Sequence, residues 1–390
     1  MDFSTIFSKK ASDFMKISAL IAEFNPFHSG HKHLVDSMKE ESDGIIAIMS
    51  PNFVQRGECA LFDKKERSIA AVQNGVDLVI ELPTVYALSS AEGFAKGAVE
   101  TLNCCGNIST LHFGSECGNI SDLCDVSDML NNESEEFSAA LSKNLSEGLS
   151  FPAARKKALE RISPLAPILD TPNNILAVEY IRQLRKLSSG IKPVTIKRMG
   201  SNYNDTTASG KIASASAIRT MLQNGQDTSE YMLHSFESSP VFMKDFDIMI
   251  SARLKAISFS ALCAIPDCNE ELAARLKTAA KYNTAEKILE SASCKSYTQS
   301  RIRRILCNML IGNCFSSVPS PEYIRPLAFN QKGSEILKEM KSTASLQIAA
   351  RGALLKDNPV FNLECRATDI YNLARNIEGG KEFDIIPYMA

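Results

Sequence analysis

Short apolar runs alternate with stretches of helical spacing through the first half of the chain. Residues 17–21 (ISALI) have strand length, and 31–39 follow with helical spacing. The pattern repeats at 44–49 (GIIAIM) and 63–74, at 77–82 (DLVIEL) and 90–103, and again at 110–113. Polar, helix-patterned residues fill 125–170, a helix is expected over 175–187, and 191–198 (IKPVTIKR) reads as a further strand. Such alternation predicts an α/β fold: a Rossmann-like domain over 16–225, with a parallel sheet joined by crossover helices. In such sheets ligands bind beyond the C-terminal strand ends. From 228 onward helical patterns dominate, as at 249–257 and 270–282, so a mostly α-helical C-terminal domain is expected over 226–390. The turn-rich stretch NGQDTS at 224–229 marks the boundary. Residues 1–15 lack the long apolar core of a signal peptide and read as a disordered or weakly helical extension.

A length of 390 residues suits two domains or three, and 44% hydrophobic with 23% charged residues fits an ordinary soluble protein. The net charge of −2 gives no overall nucleic-acid signature, so an RNA site has to be a local basic patch. The 11 cysteines form no CxxC pair, which suits reduced thiols in a cytoplasm better than a disulfide framework. No apolar run reaches the length of a membrane span.

Candidate chemistry concentrates in Ile21-Ala22-Glu23-Phe24-Asn25-Pro26-Phe27-His28-Ser29-Gly30-His31-Lys32-His33-Leu34. A strand, a turn at Asn25-Pro26 and a helix start bring backbone N–H groups and a positive helix end to one point, a ready phosphate site. His28 and His31 are three apart and can face it together. As a metal site the pair is short of ligands. Loops after the later strands add Gln55 and Arg56, Ser89, Ser90 and Glu92, and His112 to Glu116 with Gly114 at the strand end. A solvated loop, an N-cap and a packed sheet histidine are the plainer readings of these. Asn173 and Asn174 precede a helix; one reads as its N-cap, the other as free to bond a base edge or ribose. Ser214 and Ser216 at a helix start, with Arg219 one turn on, form a second phosphate-binding helix end, though capping alone also explains serines. Basic residues gather at Arg182, Arg185, Lys186, Lys192, Lys197 and Arg198, and again at Arg301, Arg303 and Arg304.

The HSGH and SASAIR segments resemble the HxGH nucleotidyltransferase superfamily, whose two corresponding motifs bracket ATP phosphates. The ordered set IAEFNPFHSGH, SPNFVQRGE, DLVIELP, FGSE, PNNILAVEY, IKR and SASAIR is similar, more narrowly, to the tRNA(Met) cytidine acetate ligase family. The likeness runs from about 17 to 220 and continues more weakly through 296–304 and 323–327. It implies that ATP and acetate form acetyl-adenylate and pyrophosphate. The acetyl group then passes to N4 of the wobble cytidine in elongator tRNA(Met), without acetyl-CoA. Residues 21–34, Gly114, Asn173 or Asn174, and Arg198 would contact ATP, with Mg²⁺ carried on its phosphates. His28 and His31 would be catalytic. Gln55, Arg56, Ser214, Ser216 and Arg219 are candidates for phosphate or substrate contact, and Arg301, Arg303 and Arg304 for tRNA. The chain departs from the family pattern at Pro51 and Ala177 (glycine expected), Lys65 (tryptophan expected), Ala217 (a bulkier residue or lysine expected) and Ser216 (threonine expected). A small-molecule adenylyltransferase of the same superfamily and a non-catalytic RNA-binding protein on this scaffold remain the competing readings.

Overall fold

The computed structural model describes residues 15–198 and 213–390; positions 1–14 of the expected extension lie outside them. The strands are β1 (Ile17–Ala22), β2 (Gly44–Met49), β3 (Phe53–Val54), β4 (Glu58–Cys59), β5 (Leu78–Glu81), β6 (Ile108–Ser115), β7 (Lys192–Lys197), β8 (Tyr323–Ile324), β9 (Pro326–Phe329), β10 (Gln347–Ile348) and β11 (Tyr388–Met389). Seven of them form one sheet in the order β11-β9-β5-β2-β1-β6-β7. β5, β2, β1, β6 and β7 run parallel. Helices cover both faces, so β2 and β5 are buried at every position, and β2 and residues 78–80 of β5 read as continuous apolar runs without alternation.

Chain order reverses direction at β1: the strands after it go first to β2 and β5, then to the other side as β6 and β7. That places a topological switch point between the C-terminal ends of β1 and β6, where a crevice opens.

The chain after 225 is helical over most of its described length, yet the expected boundary does not separate it from the sheet. β9 pairs antiparallel with β5, and β11 pairs with β9. Runs of four and two residues are too short to show a period of two, so the pattern along the chain could not reveal them. The open edge of β5 supplies the reason they pair: its unpaired N–H and C=O groups need partners.

A buried ionic cluster ties the two parts together. Lys64, the first residue of the helix Lys64–Gln73, contacts the carboxylates of Glu81 at the end of β5, Glu364 (2.9 Å) and Glu382 (2.6 Å). Arg325, between β8 and β9, contacts Glu81 at 2.9 Å and also Glu382. All five side chains are at most 1% exposed. Among the described residues these three carboxylates form the one group close enough to hold a metal, but the Lys64 ammonium already sits against each of them.

Candidate active site

β1 ends at Ala22, and the turn Glu23 to Phe27 leads into the helix Ser29–Lys39. His28 is the N-cap of that helix and not a helical residue as its spacing suggests. Its Nδ1 accepts from the Gly30 amide (3.0 Å), and the His31 Nδ1 accepts from the His28 amide (3.3 Å). The two imidazoles close a reciprocal capping box with side chains that seldom serve there. Because each Nδ1 accepts, each ring carries its proton on Nε2. The rings stack with centroids 3.9 Å apart. The space at Gly30 belongs to this stack: a Cβ there would lie 2.9 Å from His28 Cε1.

Burial lowers the His28 pKa to about 3, with Arg198 and Arg219 pushing the same way. Burial also holds His31 well below its ordinary value, helped by His28 and Arg198. Both rings are therefore neutral Nε2–H donors near pH 7, suited to a phosphate oxygen that gains charge.

A cavity of about 690 Å³ opens at the switch point, within the ordinary range of ligand pockets. From the first motif it is lined by Ile21 to Asn25, His28 to His31 without the intervening turn residues, and by His33 and Leu34. Pro26, Phe27 and Lys32 do not line it; Phe27 is fully buried against Phe24, and Lys32 pairs with Asp36. Asn25 faces it in part, while its Oδ1 accepts from the Leu61 amide at 2.8 Å.

Gln55 and Arg56 stand at the tip of the β3–β4 hairpin and line the cavity. The tip turns at Gly57 (φ 74°), where a Cβ would lie 2.3 Å from the Arg304 backbone nitrogen. The helix Gln299–Ile311 thus packs directly on the hairpin. Ser214 caps the helix Ala215–Gln223 by accepting from the Ala217 amide (3.1 Å). Ser216 Oγ accepts from Arg219 (3.1 Å) and Arg56 (3.4 Å), and Arg219 also donates to the Asn25 carbonyl (3.2 Å). Glu58 holds Arg303 at 3.0 Å and lies 3.8 Å from Arg219. One hairpin and two helices therefore converge their cations on one mouth of the cavity.

Gly114 lines the cavity at the end of β6, and a Cβ there would lie 3.1 Å from Arg198 Cγ. Asn173 lines it too, with Nδ2 on Glu116 at 2.6 Å. Asn174 turns inward, its Oδ1 accepting from the amides of Glu116 (2.9 Å) and Cys117 (3.2 Å). Neither asparagine is the N-cap expected: Thr171 holds that position and Pro172 opens the helix Pro172–Lys186. Fixed φ at proline favours the first helical position, which puts the cap at Thr171.

The basic stripe divides. Arg303 and Arg304 line the cavity, whereas Arg301 does not; it donates to the Asp267 carbonyl and lies over the Tyr297 ring. Arg182 is turned inward onto Glu179 at 2.8 Å.

This chain matches the family model described as HIGH Nucleotidyl Transferase over residues 15–382. It is 39% identical over 385 residues to the tRNA(Met) cytidine acetate ligase of Thermoanaerobacter sp. (strain X514), covering 92% of this chain and 96% of that one. It is 40% identical over 388 residues to the ligase of the same name from Clostridium acetobutylicum, again over 92% and 96%. The chain belongs to the tRNA(Met) cytidine acetate ligase family. Its structure superposes on Thermotoga maritima TmcAL bound with alpha-thio ATP with a TM-score of 0.87, at 31% identity over 96% of this chain and 100% of that one. The apo form of the same protein gives 0.90 at 33% identity.

Within this family framework, residues not singled out by motif also shape the site. Arg67 is fully buried and donates to four carbonyls: Phe62 (2.8 Å), Glu23 (2.5 Å), Ser50 (3.1 Å) and Pro51. It clamps the loops that leave β1 and β2, including the segment where Pro51 replaces the expected glycine. Its signal was present: Lys64, Arg67, Ser68 and Ala71 share the buried face of one helix, where charged residues are rare unless paired. Glu23, from the first motif itself, joins the same two loops by accepting from the Gln55 amide (3.0 Å). No described helix is long and apolar enough to cross a membrane.

Proposed function

We propose that this chain is an ATP-dependent ligase that activates acetate and acetylates N4 of the wobble cytidine of elongator tRNA(Met). The observation that carries the reading is the stacked, neutral His28–His31 pair, set beside Arg198 and Arg219 at the sheet's switch point. Neutral donors and fixed guanidinium groups suit a polyanion whose charge moves during reaction. An acetate oxygen attacks the α-phosphorus of ATP, and the bond from that phosphorus to the bridging oxygen breaks. Acetyl-adenylate and pyrophosphate result. The cytidine N4 then attacks the acyl carbon, the acyl–oxygen bond to AMP breaks, and N4 gives up one proton.

His28 and His31 donate to the α-phosphate and the leaving group, while Arg219, with Arg56 beside it, holds the outer phosphates. Asn173, Gly114 and Arg198 border the nucleoside end. Catalysis on these terms is positioning and charge stabilisation, with no covalent enzyme intermediate. Mg²⁺ rides on the phosphates, acetyl-CoA has no role, and the reaction belongs in the cytoplasm where tRNA is used. Arg303 and Arg304 at the cavity mouth meet RNA phosphates in this reading.

The test is incubation of the protein with ATP, Mg²⁺, labelled acetate and bacterial tRNA, followed by nucleoside mass spectrometry. N4-acetylcytidine formed without acetyl-CoA is the expected result. Acetate-dependent pyrophosphate release without it would indicate a different acceptor. Absence of both would leave a non-catalytic RNA-binding protein.

A further inference from the structure

The cavity does not end at the nucleotide-binding loops. The helix Pro172–Lys186 carries its wall onward from Asn173 through Leu176 to Tyr180, about 10 Å further along the helix axis. There it meets the start of the helix Phe151–Leu159, and the lining changes to Phe151, Arg155, Glu179 and Tyr180.

Two features of this arm call for a ligand. Phe151 is 49% exposed at the rim, an aromatic face left open on a cavity wall with the Arg155 guanidinium 5.7 Å from its centroid. Beside it sits a charged pair that is nearly solvent-free: Arg155 donates to Glu179 Oε1 at 2.5 Å, with side-chain exposures of 9% and 1%. Glu179 Oε2 also receives Arg182 (2.8 Å), so its orientation is fixed from two sides. The Arg155 Nε has no hydrogen-bond partner, an unusual state for a buried guanidinium. Each carboxylate oxygen keeps a second lone pair.

We propose that this arm receives the acceptor base: a flipped pyrimidine with an exocyclic amino group, cytosine on the function proposed above, on which this inference rests. Phe151 stacks on the base, Glu179 accepts one hydrogen of the exocyclic amine, and Arg155 donates to the acceptors on the same edge. Enzymes that act on a base take it out of its stack and read its pairing edge in a pocket walled by apolar side chains. A carboxylate accepting from the amine of cytosine is the pairing that distinguishes it from uracil, which has a carbonyl there. Base–aromatic stacking supplies affinity without regard to base identity. Phe151 therefore serves binding and Glu179 serves discrimination.

Acetate-dependent ATP–pyrophosphate exchange reads the first half-reaction, which needs no base; acetyl transfer to tRNA(Met) reads the second. Phe151→Ala is expected to lose about tenfold or more in transfer while exchange stays within about twofold, and Phe151→Tyr to restore transfer. Glu179→Gln is expected to narrow the preference, in direct titration, for an anticodon stem-loop with cytosine over one with uracil at the target position. Equal loss of exchange and transfer in Phe151→Ala would overturn the inference, because the arm would then serve ATP. So would normal transfer in both variants. Phe151 is half exposed, so its truncation does not threaten folding. Should the natural protein show no transfer yet prefer the cytosine stem-loop through Phe151 and Glu179, the arm stands and the acetate reading falls. No preference in the natural protein overturns the arm whether or not transfer occurs.

Discussion

Two groups of charged side chains lie close to the ends of the same sheet and are balanced in opposite ways. Around Lys64, two cations meet three carboxylates, all buried, and each cation touches at least two carboxylates. At the cavity mouth, Arg219 and Arg303 converge beside two neutral histidines, with Arg56 on Ser216, and Glu58 is the one carboxylate paired with Arg219 and Arg303 in the described residues. Arg219 donates to a backbone carbonyl and a hydroxyl, with the Glu58 carboxylate 3.8 Å away. The first group is saturated from within and joins parts of the chain about three hundred residues apart in sequence. The second sets Arg219 and Arg303 against the single carboxylate of Glu58, so positive charge is left over for something that arrives. Charge balance, more than residue type, separates a structural cluster from a binding site here.

The largest effect expected from this contrast is on stability. Lys64→Met leaves three buried carboxylates against Arg325 alone and should lower unfolding free energy by about 3–5 kcal/mol in a denaturant titration. A change under about 1 kcal/mol would break the comparison, since the cluster would then not hold the fold. Next, His31→Ala removes one donor to a developing charge and should cut acetate-dependent pyrophosphate exchange by roughly 10²–10³-fold, while tRNA binding survives. Retained exchange with lost tRNA binding would reverse its assignment.

Acid titration separates the groups by window. His28 has a folded pKa near 3 against an ordinary 6.5, so between those values the unfolded chain binds a proton that the folded chain refuses. Its contribution is complete above pH 6.5 and is lost as pH falls towards 3, at up to about 1.4 kcal/mol per pH unit. For Glu382, burial alone would raise the carboxyl, but Lys64 and Arg325 bring it down to about 2; its contribution is lost only as pH falls from 4.5 towards 2. Burial raises Glu364, which gives the opposite slope above 4.5. The difference between the natural protein and His28→Asn in unfolding experiments from pH 6.5 to 4.5 therefore isolates the histidine. An unchanged slope would show that the ring is not held neutral. The smallest effect is at Arg219: Arg219→Met should weaken ATP binding about tenfold in a titration and shift stability by no more than about 1 kcal/mol, because its hydrogen bonds go to neutral groups and its Glu58 contact is long and partly exposed.

The order of motifs along the chain was legible because each sits at a strand end or a helix start, where residues need no packing partner to be recognised. The parallel core was legible for a similar reason: fully buried strands are continuous apolar runs. Asn173 and Asn174 could not be told apart by sequence, since a proline one residue earlier shifts the helix start and decides which side chain turns inward. The same holds for Arg303 and Arg301, two residues apart on one helix and therefore on different faces.

By itself, the sequence determined the α/β core, the loops that line the cavity, and the family. Only the tertiary structure decided three further things. Short segments near the C-terminus complete the sheet, because the edge of β5 needed hydrogen-bond partners from far along the chain. Lys64 and Arg67 act inside the protein, because a charge on a helix has no assigned function until the groups facing it are known. And the histidine pair is neutral, because burial and nearby guanidinium groups set the cost of a proton, and neither is written in the spacing of two residues.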